Sequence, residues 1–97
     1  MYKLSNLAAE DFAGIFEYTL INYGISQADN YTESLENTLI LLAESPYIGQ
    51  EYPEISQGVR RFDHRQHAIF YRIREEDLLI IRILHQQMEP MCHFFDI

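Results

Sequence analysis

Residues 59–85 read VRRFDHRQHAIFYRIREEDLLIIRILH, and this stretch decides the fold. It contains three runs rich in β-branched, aromatic and aliphatic residues, which are typical of β-strands. The runs span residues 59–62, 68–73 and 78–84. Short polar connections at 63–66 and 74–77 separate the runs and suit hairpins. The stretch therefore predicts three consecutive strands, each antiparallel to the next.

The last of these runs is apolar on both faces. Strand alternation places Leu79, Ile81 and Ile83 on one face and Leu78, Ile80, Arg82 and Leu84 on the other. A strand of this kind is central and covered on both sides. The part near Arg82 is the exception and is expected to be uncovered, because this residue is charged. Residues 2–4 alternate apolar and polar side chains and predict an edge strand paired with this run, because its ladder hydrogen bonds need a partner.

Two amphipathic helices are predicted between residue 5 and residue 45. Ser5 or Asn6 can cap the first, whose first turns hold Glu10 and Asp11, where negative charge suits the helix dipole. Its apolar stripe, at three- and four-residue spacing, is Phe12, Ile15, Phe16, Thr19, Leu20 and Tyr23.

The second helix is predicted to follow at once. Gly24 suits the C-terminal cap of the first helix, and Ser26 with Asp29 has the form of a capping box that opens the second. Its stripe is Ala28, Tyr31, Leu35, Leu39 and Leu42, and it ends at Ser45 and Pro46. So short a connection makes the two helices antiparallel.

These elements define an α+β fold of order β-α-α-β-β-β. We expect a helical hairpin packed on one face of a small twisted, mostly antiparallel sheet, with the other face partly open. The stretch from Pro46 to Gly58 shows neither helical nor strand periodicity and is expected to be irregular. Residues 1–97 are predicted to form a single domain.

Charge is distributed unevenly along the chain. Its 97 residues carry 15 acidic and 7 basic groups, a formal net charge of −8. Residues 1–54 hold nine acidic residues and one lysine, whereas residues 60–74 hold five arginines and one aspartate. The arginines are either a solvated strand face that compensates the acidic half or a docking face for an acidic partner.

The composition also indicates the cellular compartment in which the protein is expected. A single cysteine, Cys92, cannot form an internal disulfide, which favours a reducing environment. The longest apolar runs are far below the roughly 20 residues that a membrane helix needs. We expect a cytoplasmic protein that does not associate with membranes.

The sequence offers little for metal, cofactor or nucleophilic chemistry. The spacing of His64, His67, His85 and the Cys92–His93 pair matches no zinc pattern. Because His64 and His67 differ by an odd number of residues, they are expected on opposite faces of a hairpin. The four glycines stand singly, so no phosphate-binding loop is predicted.

One constellation is compatible with catalysis. Arginines that stabilise a pentavalent phosphorane, with a histidine for proton transfer, can cleave RNA without a metal. On this reading the catalytic residues are Arg60, Arg82 and His85. Alternatively, Arg82 and His85 serve only to satisfy strand-end backbone or acidic helix residues.

Several segments resemble the ParE branch of the RelE/ParE toxins. They are residues 58–62 (GVRRF), 67–72 (HAIFYR) and 80–88 (IIRILHQQM), with weaker likeness at 9–12 (AEDF) and at 42–46 followed by Gly49. The Ile-Leu-His-x-x-Met ending is the most specific of these. The resemblance spans residues 2 to about 90 and implies the fold derived above.

This resemblance also implies a function. It implies the non-enzymatic toxin of a type II toxin–antitoxin pair, which binds DNA gyrase without hydrolysing it and forms a hetero-oligomer with a ParD-like antitoxin. We predict that the antitoxin lies over the open groove beside the helical hairpin and the sheet edge and binds Arg60, Arg61, Arg72, Arg74 and Tyr71. The residues predicted to bind the target are Met88, Met91, Phe94 and Phe95, which could instead cover the outer face of the sheet.

Two alternatives remain open. A RelE-like nuclease cuts messenger RNA on the ribosome, but that branch is basic throughout and often has a C-terminal tyrosine. Residues 92–97 (CHFFDI) contain no tyrosine and the net charge is negative, and both features favour the ParE branch. The negative charge also argues against direct DNA binding. We expect no cofactor. The other alternative is a non-toxic module that binds an antitoxin.

Overall fold

A helical hairpin lies against a five-stranded sheet in the part of the chain that the structure describes. This structure is a computed structural model that describes residues 1–90 and residue 93. Its elements are β1 (Tyr2–Leu4), α1 (Asn6–Tyr23), α2 (Ile25–Glu44), a 3-10 turn (Pro46–Ile48), β2 (Gln50–Glu51), β3 (Val59–His64), β4 (His67–Ile73) and β5 (Leu78–His85). The strand order is β1-β5-β4-β3-β2, with β1 parallel to β5 and all other pairs antiparallel. The predicted fold class and the central place of β5 are confirmed.

The edge strand β2 was not predicted. It lies in the stretch expected to be irregular, where Gln50 pairs with Arg61 and Glu51 pairs with Arg60. The backbone N–H of Tyr52 then donates to the carbonyl of Val59 at 2.8 Å. Two residues are too few to show an alternating pattern, so this strand forms because β3 offers a partner for its backbone hydrogen bonds.

The start of α1 is fixed to the end of the sheet by one side chain. The hydroxyl of Ser5 accepts a hydrogen bond from the N–H of Ala8 at 3.0 Å and donates to the carbonyl of Ile81 at 2.7 Å. Ser5 is therefore the N-cap, as predicted. Because the helix begins at Asn6, Glu10 and Asp11 lie beyond the first turn, and the expectation that they act on the helix dipole is wrong.

The joint between the helices is a single glycine. Gly24 has a φ of 93°, and its N–H donates to the carbonyl of Leu20 at 3.0 Å. A residue with a side chain is strained at this φ, whereas glycine is not. The helix α2 begins directly at Ile25 without a side-chain cap, so Ser26 already lies inside its first turn and the predicted capping box is absent from the described joint.

The main core lies between the hairpin and the sheet. It consists of Ala8, Ile15, Leu35, Leu39, Leu42, Ile69, Tyr71, Leu78, Ile80 and Ile83. Full burial of one such large apolar side chain contributes about 1.5–3 kcal/mol. The predicted stripe of α2 is confirmed, but that of α1 ends at Thr19, and Leu20 and Tyr23 are exposed.

A β-bulge changes which side chains at the end of β5 point toward the helices. Tyr71 pairs with Ile80 and Phe70 pairs with Arg82, so Ile81 is an extra residue on β5. One inserted residue resets the alternation of side chains. Ile83 consequently joins the helix-side core, and the predicted strict alternation is wrong beyond Ile80.

The other face of the sheet is partly covered by the chain itself. A second buried cluster consists of Ile55, Val59, Ala68, Phe70 and Leu84, with Tyr52 and Ile81 packed against it. The segment between β2 and β3 supplies Tyr52 and Ile55 and thus lies over this face. None of the described helices is both long enough and apolar enough to cross a membrane.

Candidate functional site: a groove along the first helix

A groove of about 700 Å³ runs along α1, between that helix and the end of β5. One wall carries Gly14, Tyr18 and Tyr23, with Tyr31 from α2. The lining is completed by Glu10, Asp11, Ile15, Thr19, Gln27, Arg65, Gln66, His67, Arg82, Ile83, Leu84, His85, Met88 and His93. Mostly apolar walls with a few polar groups are typical of sites that bind another molecule.

An ion pair forms part of the groove wall. Arg82 donates from Nε and Nη2 to the two carboxylate oxygens of Asp11, at 2.8 and 3.0 Å. The side chains are only 14% and 15% exposed, and the N–H of Ile83 donates to the same carboxylate. Hydrogen bonding to Asp11 raises the pKa of Arg82. The sequence predicted an uncovered surface near Arg82, which is wrong because Asp11 of α1 covers this side chain.

Two histidines and a tyrosine lie at the other end of the groove. The hydroxyl of Tyr31 lies 2.6 Å from Nδ1 of His67, and the ring of His85 lies 5.5 Å from that of His67. Burial, reinforced by His85 and His64, lowers the pKa of His67 to about 4. At neutral pH His67 is therefore uncharged and can accept the hydrogen bond from Tyr31.

The prediction that His64 and His67 lie on opposite faces is wrong. They are direct cross-strand partners across the two-residue turn, and both rings contact Tyr31. Directly paired residues share a face. Within residues 1–90 and 93, no group of three or more histidine, cysteine or carboxylate side chains is placed to hold a metal.

The arginines predicted to bind an antitoxin do not form one face. Cross-strand pairing puts Arg60 beside Tyr71 on the helix side, whereas Arg61 pairs with Phe70 on the other side. Arg60 donates to the carbonyl of Gly49, and Arg61 pairs with Asp63 at 2.8 Å. Each of these two arginines already contacts groups of its own chain.

Arg72 and Arg74 also contact groups of their own chain. Arg72 donates to the carbonyl of Gln57 at 2.9 Å, and Arg74 makes two hydrogen bonds to Asp77 at 2.6 and 2.7 Å. By contrast, Arg65 is exposed at the turn between β3 and β4 and lines the groove.

Tyr71 cannot act as a surface contact in this structure. It is fully buried, its hydroxyl donates to the carbonyl of Pro46 at 2.7 Å, and the hydroxyl accepts from the N–H of Gly49 at 3.0 Å. That Tyr71 contacts an antitoxin stays a prediction, and its full burial does not favour it. Its role is to hold the turn after α2 against the sheet.

The residues of the nuclease alternative are not brought together. Arg82 and His85 line the groove, but Arg60 lies near Gly49 and Tyr47 and does not line it. The charge of Arg82 is already compensated by Asp11. Because Nε and Nη2 of Arg82 donate to a carboxylate and Nη1 donates to the carbonyl of His93, this arginine is poorly placed to stabilise a phosphorane as well.

The residues predicted to bind a target are only partly visible in the structure. Met88 is 43% exposed and lines the groove. The neighbouring backbone is anchored, because Nη1 of Arg82 donates to the carbonyl of His93 at 3.1 Å. Met91, Phe94 and Phe95 lie outside the described residues.

The fold and groove define a class of small proteins in which a helical hairpin on a sheet offers a binding surface. Comparison with known proteins identifies the family. Residues 2–90 match the family model described as ParE toxin of type II toxin-antitoxin system, parDE. The chain belongs to this family, as its sequence resemblance suggested, and is the toxin component of a type II toxin–antitoxin system. This membership supports the prediction that it is not an enzyme.

Similar proteins cover nearly the whole chain. Toxin ParE1 of Caulobacter vibrioides is 36% identical over 92 residues, 95% of either chain. Toxin ParE1 of Mycobacterium tuberculosis is 33% identical over 89 residues, 91% of either chain. A solved structure described as the chromosomal ParDE TA system from P. aeruginosa superimposes with a TM-score of 0.75 at 20% identity, covering 87% of this chain and 92% of that chain. At that identity the solved structure supports the fold alone.

Sequence reasoning missed several residues of this site. Asp11 was assigned to the helix dipole, and no local pattern indicates its contact with Arg82 of β5. Arg65 was counted only as part of a basic segment. Tyr18 and Tyr23 of the groove lie within residues 18–28, a stretch without a charged residue, and this local absence of charge marks them in the sequence.

Proposed function

We propose that this toxin inhibits DNA gyrase in the cytoplasm and that its cognate antitoxin neutralises it by docking in the groove along α1. Membership of the ParE family supports the gyrase target. The observation that carries the docking site is the groove itself, whose lining includes the exposed rings of Tyr18 and Tyr23 on α1 and the exposed Met88.

The chemistry of the groove favours a short amphipathic segment. Its exposed side chains Tyr18, Tyr23 and Met88 offer apolar contact, and an apolar helix face fits such a groove. The wall from Glu10 to Tyr23 covers fourteen residues of helix, about 20 Å at 1.5 Å per residue. An antitoxin segment of three to four helical turns fills this length.

The charges of the groove favour acidic antitoxin residues near Arg65. The ion pair of Asp11 with Arg82 is internally compensated, whereas Arg65 is exposed at the far end of the groove. Docking on Arg60, Arg61, Arg72 and Arg74 stays a prediction, and in the described residues each of these arginines already has a partner. The two possibilities are separated by charge reversal at Arg65 and at Arg60.

Expression without the antitoxin, followed by a supercoiling assay on the purified chain, tests the proposal. A gyrase poison blocks supercoiling, accumulates cleaved DNA, and loses both effects when the antitoxin is added. The antitoxin to use is the product of an adjacent short reading frame with a DNA-binding N-terminus. A chain that stops translation while leaving supercoiling intact contradicts the gyrase proposal.

A further inference from the structure

The tip of the helical hairpin is an exposed apolar surface without charge. Residues 18–28 include no acidic or basic residue, although the whole chain carries 22 such groups. The large apolar side chains exposed there are Tyr18, Leu20, Ile21, Tyr23 and Ile25. Ile21 is 74% exposed and Ile25 is 57% exposed, which places two β-branched side chains in solvent beside two tyrosines.

A surface of this kind is typical of the centre of a protein interface. Interface centres are depleted of charged residues and enriched in aromatic ones, and exposed apolar patches on soluble proteins mark interaction sites. The tip also differs from the groove, because Tyr18 and Tyr23 line the groove whereas Ile21 and Ile25 do not. An antitoxin segment lying in the groove thus leaves these two isoleucines uncovered.

The charges around the tip indicate the kind of partner. Residues 6–44, which form the hairpin, contain seven acidic residues and no basic one. The first charges on either side of the tip are Glu17 and Asp29, both exposed. A second copy of this chain would bring two such acidic hairpins together, and like charges disfavour that contact. A partner with an apolar cleft and a basic rim is complementary.

We propose that the hairpin tip, residues 18–28, is the surface that docks on the toxin's target, in an apolar cleft bordered by basic groups. This inference rests on the proposed function, in which that target is DNA gyrase. It also accounts for neutralisation, because Tyr18 and Tyr23 belong to both the tip and the groove. An antitoxin in the groove covers two of the aromatic contacts that the target needs.

The test separates the two surfaces with paired variants. The double variant Ile21→Ala/Ile25→Ala is compared with Ile40→Ala/Leu41→Ala, which removes two exposed apolar side chains of α2 that lie outside the tip. All are assayed for supercoiling inhibition and for antitoxin affinity, and unfolding in urea checks that each variant is folded. We expect the tip variant to inhibit gyrase at least tenfold more weakly, about 1.4 kcal/mol, with antitoxin affinity and the control variant unchanged.

A second pair of variants tests the basic rim without truncating an apolar side chain. The double variant Glu17→Gln/Asp29→Asn is expected to weaken inhibition severalfold and to reduce its dependence on salt, because screened charge attraction is removed.

If the wild-type chain leaves supercoiling intact, both the proposed function and this inference are wrong. If the wild-type chain and the tip variant inhibit equally, the inference alone is wrong. It is also wrong if sedimentation shows a wild-type dimer that the tip substitutions dissociate while inhibition persists.

Discussion

Arg82 and Asp11 lie 71 residues apart in sequence and share two hydrogen bonds of 2.8 and 3.0 Å, which join the last strand to the first helix. The same arginine donates to the carbonyl of His93. One arginine thus connects β5, the second turn of α1 and the backbone at His93.

Removal of either partner of this pair is expected to destabilise the fold. Arg82→Met or Asp11→Leu leaves an uncompensated, mostly buried charge, and each is expected to cost about 2–4 kcal/mol in the free energy of unfolding. The double variant is expected to cost less than the sum of the two, measured by urea unfolding. Asp63→Asn, which breaks the more exposed pair with Arg61, serves as the control and is expected to cost less than about 1 kcal/mol. Additive effects of Arg82→Met and Asp11→Leu would contradict this account.

Tyr71 is expected to matter through its hydroxyl. Tyr71→Phe leaves the N–H of Gly49 and the carbonyl of Pro46 without their partner and is expected to cost about 1–3 kcal/mol in the free energy of unfolding. The same substitution at Tyr47, whose ring is exposed beneath Arg60, is expected to be nearly neutral. Equal losses at the two tyrosines would argue against a structural role for the buried hydroxyl.

Stability is expected to fall in mild acid because of His67. Its pKa is about 4 in the fold, below the ordinary 6.5, so the unfolded chain binds more protons as the pH falls from about 6.5 to 4. The contribution is complete above about pH 6.5, and we expect a loss of about 1–2 kcal/mol at pH 5. Urea unfolding of wild type and His67→Gln at pH 7 and pH 5 measures this difference. An NMR titration midpoint for His67 near 6.5 would show that burial does not perturb the ring.

Charge reversal separates the two candidate antitoxin contacts. Arg65→Glu is expected to weaken antitoxin binding at least tenfold, about 1.4 kcal/mol, because acidic antitoxin residues would meet a like charge at the end of the groove. Arg60→Glu is the matched variant outside the groove. Calorimetric titration of each with the antitoxin measures both affinities. A loss at Arg60 with none at Arg65 would place the antitoxin on β3 instead.

Much of the fold was accessible from the sequence because its elements have strong, regular patterns. Ser5 as a cap, the leucine stripe of α2 and the central place of β5 all follow from local chemistry. The bulge at Ile81 could not be predicted from the sequence, because a strand with one extra apolar residue has the same kind of composition as a regular strand. The strand β2 depends on its partner, Arg60 and Arg61 of β3, and two residues carry no period of their own.

The candidate site was less accessible than the fold. The sequence showed that arginines are frequent in this segment. Neighbouring residues of a strand point to opposite faces of the sheet, however, so Arg60 and Arg61 cannot lie on one flat surface. The groove joins residues of α1, α2 and β5 that only tertiary packing brings together. Tyr71 was predicted to contact an antitoxin, whereas its hydroxyl donates to the carbonyl of Pro46 in the turn after α2.

The supercoiling reaction of purified DNA gyrase tests the central claim most directly. The reaction is run with the wild-type chain, with the chain plus its antitoxin, and with the Ile21→Ala/Ile25→Ala variant. The account predicts inhibition by the wild type, recovery with the antitoxin, and at least tenfold weaker inhibition by the variant. Undiminished supercoiling at every concentration of folded wild-type chain would contradict the account.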